Sequence, residues 1–424
     1  MASSAVSPLP FPPDAASRPA VPPRDRLAAI NGLLDRSWSR GWLSRPTLDA
    51  DALLARARRV TGLADAGGDT GWQQRLEVLT AALEQQAALT PLGRTIAHGQ
   101  LVAALANRLR AHALWRRHPE IMSVPLRAPV IVLGQMRSGS TRMQRLLACD
   151  PRLACTRFFE SWNPLPRNTL FDDRRLRTWI GLRLAGLINP AFAAIHPTGV
   201  AAPDEEIGLH SVAIFGSAFE AQWRVPAFAA HVETSDATPA YREVARLLRT
   251  MLWLRRDGAA RPLILKVPQM TQDLDAVLRV FPDARLVCLH RDPAAIVASS
   301  ASLAYNQMRC QSDDVDRAWI GREWLRKTAL RHARTAAVRA RASVPQVDVA
   351  YDAIEADWEG EMARVYRTLQ LPLTRDVRTR MADYVAGSRG DGTTPHAYHL
   401  EEYGLTPAEV AAAFTPPGDA RAAA

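Results

Sequence analysis

The chain has 424 residues, enough for two domains or one elaborated domain, and its 53 basic and 43 acidic side chains give a formal charge of +10. The basic residues are spread along the chain rather than gathered in one stripe, so we expect no nucleic-acid partner. No uninterrupted apolar stretch approaches membrane-spanning length, and the four cysteines lack metal-ligand spacing. We therefore expect a cytoplasmic protein with reduced thiols and no transmembrane segment.

The N-terminal quarter divides into two parts by composition. Residues 1–25 are rich in proline and alanine, and we expect them to form a disordered tail. Residues 26–120 carry apolar side chains at helical spacing with glycines between the segments, which predicts a helical N-terminal region. This region either packs against the rest of the chain or forms the contact of a homo-oligomer. We expect the α/β domain to occupy residues 124–416.

The stretch at 128–150 reads APVIVLGQMRSGSTRMQRLLACD, and it predicts a strand, a phosphate-binding turn and a helix. Glycine lets several backbone N–H groups converge on one anion, and the N-terminus of the following helix adds its own free N–H groups. Serine stands at position 140, where nucleotide triphosphatases carry a lysine, which argues against hydrolysis of ATP or GTP. The expected anion ligands are Arg137, Ser138, Gly139, Ser140 and Thr141.

A carboxylate follows soon after this loop. Residues 153–159 predict a short second strand that ends in Glu160. A carboxylate at the carboxyl end of a parallel strand faces the ligand crevice of an open sheet. The alternative is a surface glutamate that pairs with Arg157 or Arg167.

Residues 173–195 predict a basic amphipathic helix. Arginines open the segment, and one face carries apolar side chains: Leu176, Trp179, Ile180, Leu184, Leu187 and Ile188. We expect this face to pack on the core. The second interpretation is that it lines an apolar substrate pocket, and the third is contact with a membrane.

Residues 261–303 predict a second anion site. Two apolar runs, at 263–267 and 285–290, flank a helical segment, which is the pattern of a parallel βαβ unit. Arg291 follows the second run, and Ser299 lies two helical turns further on, so that the two side chains could hold one anion. Lys266 ends the first run, at the edge where parallel sheets bind ligands, whereas Lys327 lies in a polar helical run and is expected on the surface.

Together these motifs resemble those of the sulfotransferase family. VLGQMRSGST is similar to the family's 5′-phosphosulfate loop, and Arg291 with Ser299 resembles its 3′-phosphate motif. The resemblance implies a P-loop-like three-layer α/β fold with a central parallel sheet after the helical N-terminal region. It also implies transfer of a sulfuryl group from 3′-phosphoadenosine 5′-phosphosulfate (PAPS) to a hydroxyl acceptor, without a metal. Arg137 and Lys266 would then be catalytic, since both neutralise charge on the sulfuryl oxygens.

The C-terminal segment at 387–405 resembles the ending of a bacterial branch of the family. In the wider family a basic loop here helps to bind the 3′-phosphate, so Arg389 is carried over to the cofactor site. The lysine expected near it is Asp391 or is missing.

The sequence departs from the family at the catalytic base. Pro268 and Met270 stand where the two branches carry a histidine, so the resemblance moves the base to Glu160. A segment similar to the branch's acceptor region supplies further candidates for substrate binding or proton transfer: His196, Glu205, Glu206 and His210.

Three other functions stay open. They are an ATP-dependent small-molecule kinase, a non-catalytic nucleotide-binding protein and, third, a nucleic-acid-binding protein. The apolar residues Trp179 and Phe192 favour a hydrophobic alcohol, phenol or glycolipid as acceptor over an anionic glycan.

Overall fold

The computed structural model describes residues 24–68, 71–167, 171–191, 197–256, 261–389 and 399–414. The expected tail at 1–25 therefore lies outside the described residues, except for its last two, where the first helix begins. No helix in these ranges combines the length and the apolar composition that crossing a bilayer requires.

The N-terminal region is helical, as predicted. Asp49 and Thr90 cap two of its helices, because each side chain accepts a hydrogen bond from a backbone N–H in the first turn. A short 3₁₀ turn at Pro119–Ser123 follows the last helix. The four helices are α1 (Arg24–Ser39), α2 (Ala50–Thr61), α3 (Trp72–Gln85) and α4 (Pro91–Arg117).

Five parallel strands form one sheet in the order β2-β3-β1-β4-β5. The strands are β1 (Val130–Leu133), β2 (Ala154–Cys155), β3 (Leu263–Leu265), β4 (Arg285–His290) and β5 (Gln346–Ala350). Val130 pairs with Ile264 on one side and with Arg285 on the other, which makes β1 the central strand. The segments that follow β1, β3 and β4 therefore leave the sheet at one edge, where parallel sheets bind their ligands.

Helices cover both faces of the sheet. Val130 and Val132 pack into one core cluster, and Ile131 and Leu133 pack into the other, as the alternation of side chains along a strand requires. The second of these clusters also contains residues of α2, α3 and α4, so the N-terminal helices share a core with the sheet. The predicted three-layer α/β fold with a parallel sheet and a helical N-terminal region is confirmed.

The remaining helices surround the sheet, and two 3₁₀ turns at Pro268–Thr271 and Leu400–Tyr403 connect some of them. In chain order the helices are α5 (Ser140–Ala148), α6 (Phe158–Trp162), α7 (Arg174–Ile188), α8 (Ile207–Val212), α9 (Ser217–Gln222), α10 (Pro226–Thr234), α11 (Thr238–Arg255), α12 (Leu274–Val280), α13 (Pro293–Met308), α14 (Arg317–Arg339), α15 (Tyr351–Ala356), α16 (Trp358–Thr368), α17 (Arg375–Arg389) and α18 (Pro407–Phe414).

Three expectations about local structure are wrong. The strand expected at 153–159 ends at Cys155, and Glu160 lies in α6, because its carboxylate accepts the N–H of Arg157 and caps that helix. The apolar face of α7 does not pack on the core, since its large side chains are exposed. Lys327 is buried rather than on the surface, because Glu220 and Glu233 pair with its ammonium group.

Candidate active site

The loop between β1 and α5 closes tightly. Arg137 and Gly139 have φ angles of 68° and 89°, in the left-handed region that favours glycine. A Cβ atom on Gly139 would lie 2.6 Å from the ring of Tyr351, and one on Gly134 would lie 2.4 Å from the hydroxyl oxygen of Ser138. Gly139 is therefore required for the loop to approach Tyr351 this closely, and a side chain at Gly134 would displace the hydroxyl group of Ser138.

The loop presents donors that suit an anion. Helix α5 begins at Ser140, so its first backbone N–H groups lack partners within the helix. Ser138 is fully buried, and its hydroxyl group has no hydrogen-bond partner among the described residues. A buried polar atom without a partner is costly, and a bound phosphate or sulfate oxygen would satisfy it. This arrangement fits an anionic ligand.

The two predicted anion motifs meet in space. Arg137 Nε donates a hydrogen bond to the hydroxyl oxygen of Ser299 at 3.0 Å. Arg291 donates to the carbonyl oxygen of Arg137 at 2.7 Å, and its guanidinium lies 4.3 Å from the centre of the Tyr351 ring. Asp292 caps α13, so that Ser299 is held on a rigid element. The site thus has two adjacent cationic positions, each suited to an anionic group.

Lys266 reaches the same loop from the end of β3. Its side chain is buried, and Nζ donates to the hydroxyl oxygen of Thr141 at 3.0 Å and pairs with the carboxylate of Glu205. The backbone N–H of Lys266 donates to Glu206 at 2.8 Å. The ammonium group therefore lies beside the start of α5 with one carboxylate and one hydroxyl as partners.

Two further candidates from the sequence, Glu206 and His210, are buried and uncharged. Burial raises the pKa of Glu206 to about 8, so that its carboxyl group is mainly protonated at neutral pH. Burial lowers the pKa of His210 to about 3, and both ring nitrogens lack a partner among the described residues. The imidazole packs edge-on against Tyr241 at 5.2 Å. His210 is therefore neutral and a weak base.

Glu160 is bound within the protein. Arg255 Nε donates to Glu160 Oε1 at 2.7 Å, and Arg255 Nη2 pairs with Oε2, which also accepts the N–H of Arg157. Arg255 donates in addition to the carbonyl oxygen of Cys155, so that the pair connects α6, α11 and β2. Both carboxylate oxygens are occupied, and the side chain is buried. These contacts are those of a structural ion pair.

Two predicted site residues, His196 and Arg389, cannot be placed in the site by their side chains, which lie outside the described part of the chain. His196 lies outside the described residues, as do Phe192 and Asp391. Arg389 is the last residue of α17, and its side chain is likewise outside the description.

Sequence reasoning missed one contributor to the site, Tyr351, and the pairing of another, Glu205. Tyr351 follows directly after β5 and supports both Gly139 and Arg291; its place at the end of a parallel strand was a signal that could have identified it. Glu205 was considered for the acceptor region, but its pairing with Lys266 joins residues 61 positions apart, and no local pattern indicates such a contact.

Comparisons with known proteins find a matching family and similar solved structures. Residues 129–375 match the Sulfotransferase family. The structure resembles the sulfotransferase STF1 from Mycobacterium tuberculosis H37Rv with a TM-score of 0.77 and 28% identity, over 88% of this chain and 99% of the other. It resembles the sulfotransferase STF9 from Mycobacterium avium with a TM-score of 0.76 and 26% identity, over 88% of this chain and 95% of the other. Among curated proteins none gives a significant match.

Proposed function

Because the chain belongs to the sulfotransferase family, we propose that it transfers the sulfuryl group of PAPS to a hydroxyl group of a small or lipid-like acceptor. The observation that carries this proposal is the hydrogen bond from Arg137 to Ser299, at 3.0 Å. It joins the loop expected to bind a 5′-phosphosulfate to the helix expected to bind a 3′-phosphate. A nucleotide with anionic groups at both ends of its ribose fits such a pair of neighbouring sites.

Each anionic group would have its own set of ligands. The orphaned hydroxyl group of Ser138 and the close approach required at Gly139 support a phosphate or sulfate oxygen at the start of α5. When bound, PAPS supplies the sulfuryl group that is transferred. The proposed ligands of its 5′ end are Arg137, Ser138, Gly139, Ser140 and Thr141, and those of its 3′-phosphate are Arg291, Ser299 and Arg389.

Lys266 would neutralise negative charge that develops on the transferred group and its leaving oxygen. Sulfuryl transfer, like phosphoryl transfer, depends mainly on positioning and on charge neutralisation. The ammonium group is held beside Thr141 at 3.0 Å, in a buried setting where electrostatic interactions are stronger than in water. Arg137, which lies in the same loop and donates to Ser299, would share this role.

The contacts of the carboxylates favour Glu205 over Glu160 as the base that takes the acceptor proton. Glu160 already accepts three hydrogen bonds within the protein. Glu206 is mainly protonated at neutral pH, and His210 is too weak a base. Glu205 contacts Lys266 directly and is partly open to solvent, so an acceptor that reaches Lys266 would also reach this carboxylate.

The proposal also covers the chemical class of the acceptor and the location of the protein in the cytoplasm. We favour a hydrophobic alcohol, phenol or glycolipid as the acceptor, since helix α7 carries exposed apolar side chains, Trp179 among them. All four cysteines are free, which suits the reducing conditions of the cytoplasm.

Calorimetric titration with 3′-phosphoadenosine 5′-phosphate, ATP and AMP tests the proposal. We expect the bisphosphate to bind most tightly and Arg291→Ala to weaken it about 10- to 100-fold, from a charge-assisted hydrogen bond worth roughly 1.5–3 kcal/mol. Arg322→Ala is the matched control, because it removes the same charge from an exposed position on α14. Equal or tighter binding of ATP would instead support a kinase.

A screen of acceptors then tests catalysis itself. Purified protein with PAPS should sulfate at least one alcohol, phenol or glycolipid. Sulfation of anionic polysaccharides alone would refute the proposed acceptor class, and tight binding of the bisphosphate without transfer to any acceptor would indicate a non-catalytic nucleotide-binding protein.

A further inference from the structure

Helix α7 exposes an unusual number of large apolar side chains. Five of them, exposed by 44–60%, form what we call the α7 face: Leu176, Trp179, Ile180, Leu184 and Leu187. Among the described residues, half of the large hydrophobic side chains that are exposed lie on this helix, and Phe171 lies just before it. Such a concentration on one helix is typical of a surface that contacts another molecule.

The polar side of the same helix faces inward. Arg174 and Thr178 are buried: Arg174 donates to the carbonyl oxygen of Pro164, and Thr178 accepts from the amide of Asn163. Arg177 donates to the side chain of Asn163 at 2.6 Å and to the carbonyl oxygen of Leu165 at 2.7 Å. The helix is thus fixed to the protein by polar contacts and turns its apolar side outward, which is the reverse of an ordinary surface helix.

Charge distinguishes between the molecules that could cover this face. The helix contains four arginines and no carboxylate. Arg183 is exposed and lies 5.4 Å from the centre of the Trp179 ring, within the apolar face itself. Arg175, one turn before Trp179, is also exposed, and its guanidinium lies 5.1 Å from the centre of the Phe159 ring. A second copy of the chain packed by a two-fold axis would bring these like charges together. An anionic surface would instead pair with them while the apolar side chains are buried.

We propose that the α7 face binds the surface of an anionic lipid bilayer. Tryptophan and leucine on one face of a helix, with arginines among them, is the composition of helices that lie in the membrane interface. The apolar side chains would enter the boundary between headgroups and acyl chains, and Arg175 and Arg183 would remain at the level of the anionic headgroups. This inference does not depend on sulfuryl transfer, because it concerns binding alone.

Co-sedimentation of the full chain with vesicles tests the inference. We expect binding to vesicles of phosphatidylcholine with phosphatidylglycerol, weaker binding to phosphatidylcholine alone, and a decrease in binding at high salt. The double variant Trp179→Ala/Leu184→Ala should lose about tenfold or more in partitioning. Arg183→Gln should weaken binding to the anionic vesicles selectively.

The matched control is Trp42→Ala/Leu43→Ala. Trp42 is 65% exposed and also contacts an arginine, Arg40, at 4.9 Å, but it lies outside α7. The control should bind vesicles like the wild type. Absence of vesicle binding, an equal loss in the control, or equal binding to neutral and anionic vesicles would overturn the inference. Conversion of a dimer to a monomer by the α7 variant, without vesicle binding, would overturn it in favour of self-association.

Discussion

The chain contains two lysines, and their surroundings differ although both side chains are only 2% exposed. The ammonium group of Lys266 meets one carboxylate, Glu205, and the hydroxyl group of Thr141. The ammonium group of Lys327 lies within 2.6–3.7 Å of three carboxylates, which belong to Glu220, Glu233 and Glu323. The two lysines are thus equally buried, but they differ in the number of carboxylates around the ammonium group.

We propose that this difference separates a structural lysine, Lys327, from a functional one, Lys266. Around Lys327 the carboxylates outnumber its own charge, and Arg326 adds hydrogen bonds to Glu233 and Glu323. Although burial alone raises the pKa of Glu233, the hydrogen bonds and charges of Arg326 and Lys327 lower it to about 2. Lys266 has a single anionic partner for its side chain and contacts Thr141 of the loop that we propose to bind the anion, so we expect its charge to act on a ligand.

The largest effect we expect is on stability, from Lys327→Met. Removing the ammonium group leaves the buried carboxylate of Glu220 without its main partner and leaves Glu233 with Arg326 alone. Breaking a buried ion pair costs about 3–5 kcal/mol. Urea denaturation of the full chain would show this loss in the free energy of unfolding. Lys266→Met is the matched control, and its expected loss is smaller because Glu205 is partly open to solvent. Equal losses of unfolding free energy in the two variants would contradict the proposed distinction between a structural and a functional lysine.

Lys266→Met should mainly affect catalysis. Loss of one preorganised cationic group from a buried site lowers kcat about 10²–10³-fold. The rate of sulfuryl transfer measures this, with circular dichroism to confirm that the variant is folded. Lys327→Met, assayed at a temperature at which it stays folded, should keep a kcat near that of the wild type. A Lys266→Met variant with normal kcat would contradict the proposed role of this lysine.

The two carboxylate candidates for the base give a third test. Glu205→Gln should lower kcat about 10²-fold, the lower end of the range for general base catalysis. Glu160→Gln keeps the shape of the side chain but removes the charge that Arg255 binds. It should therefore lower the thermal unfolding temperature clearly while kcat stays near that of the wild type. The reverse pattern would restore Glu160 as the base.

The sequence was sufficient to predict features that depend on local spacing. The glycines of the loop, the βαβ pattern and the eight-residue interval from Arg291 to Ser299 are each contained within one short segment, and the structure brings these motifs to one edge of the sheet. A backbone that binds anions through a turn and a helix N-terminus leaves this kind of local signature.

The errors concern interactions between distant segments. Lys327 pairs with Glu233 across 94 positions, and Glu160 pairs with Arg255 across 95, so neither burial could be inferred from neighbouring residues. The periodicity of α7 correctly identified its apolar face but not the direction in which that face points. Periodicity defines the two sides of a helix, whereas the hydrogen bonds of Arg174 and Thr178 determine which side faces the protein.

The smallest expected effect is on the pH dependence of stability, where the two lysine sites should respond with opposite sign. The pKa of Glu206, beside Lys266, is raised from 4.5 to about 8 by burial, so the unfolded chain releases this proton at a lower pH than the folded chain. Its contribution to stability is complete below about pH 4.5, decreases as the pH rises towards 8, and is constant above it. Glu233, beside Lys327, has a lowered pKa, so its contribution is present above 4.5 and is lost as the pH falls towards 2.

Glu206→Gln isolates the first of these contributions. A glutamine can still accept the hydrogen bond from the backbone N–H of Lys266, but it cannot titrate. Between pH 6 and 7, the wild type should lose at most about 1.4 kcal/mol of unfolding free energy that the variant does not lose. Urea denaturation across this range, with Glu359→Gln as an exposed control on α16, measures the difference. Parallel curves for wild type and Glu206→Gln would show that Glu206 is already ionised at pH 6, and the carboxylate beside the backbone of Lys266 would then join Glu205 as a candidate base.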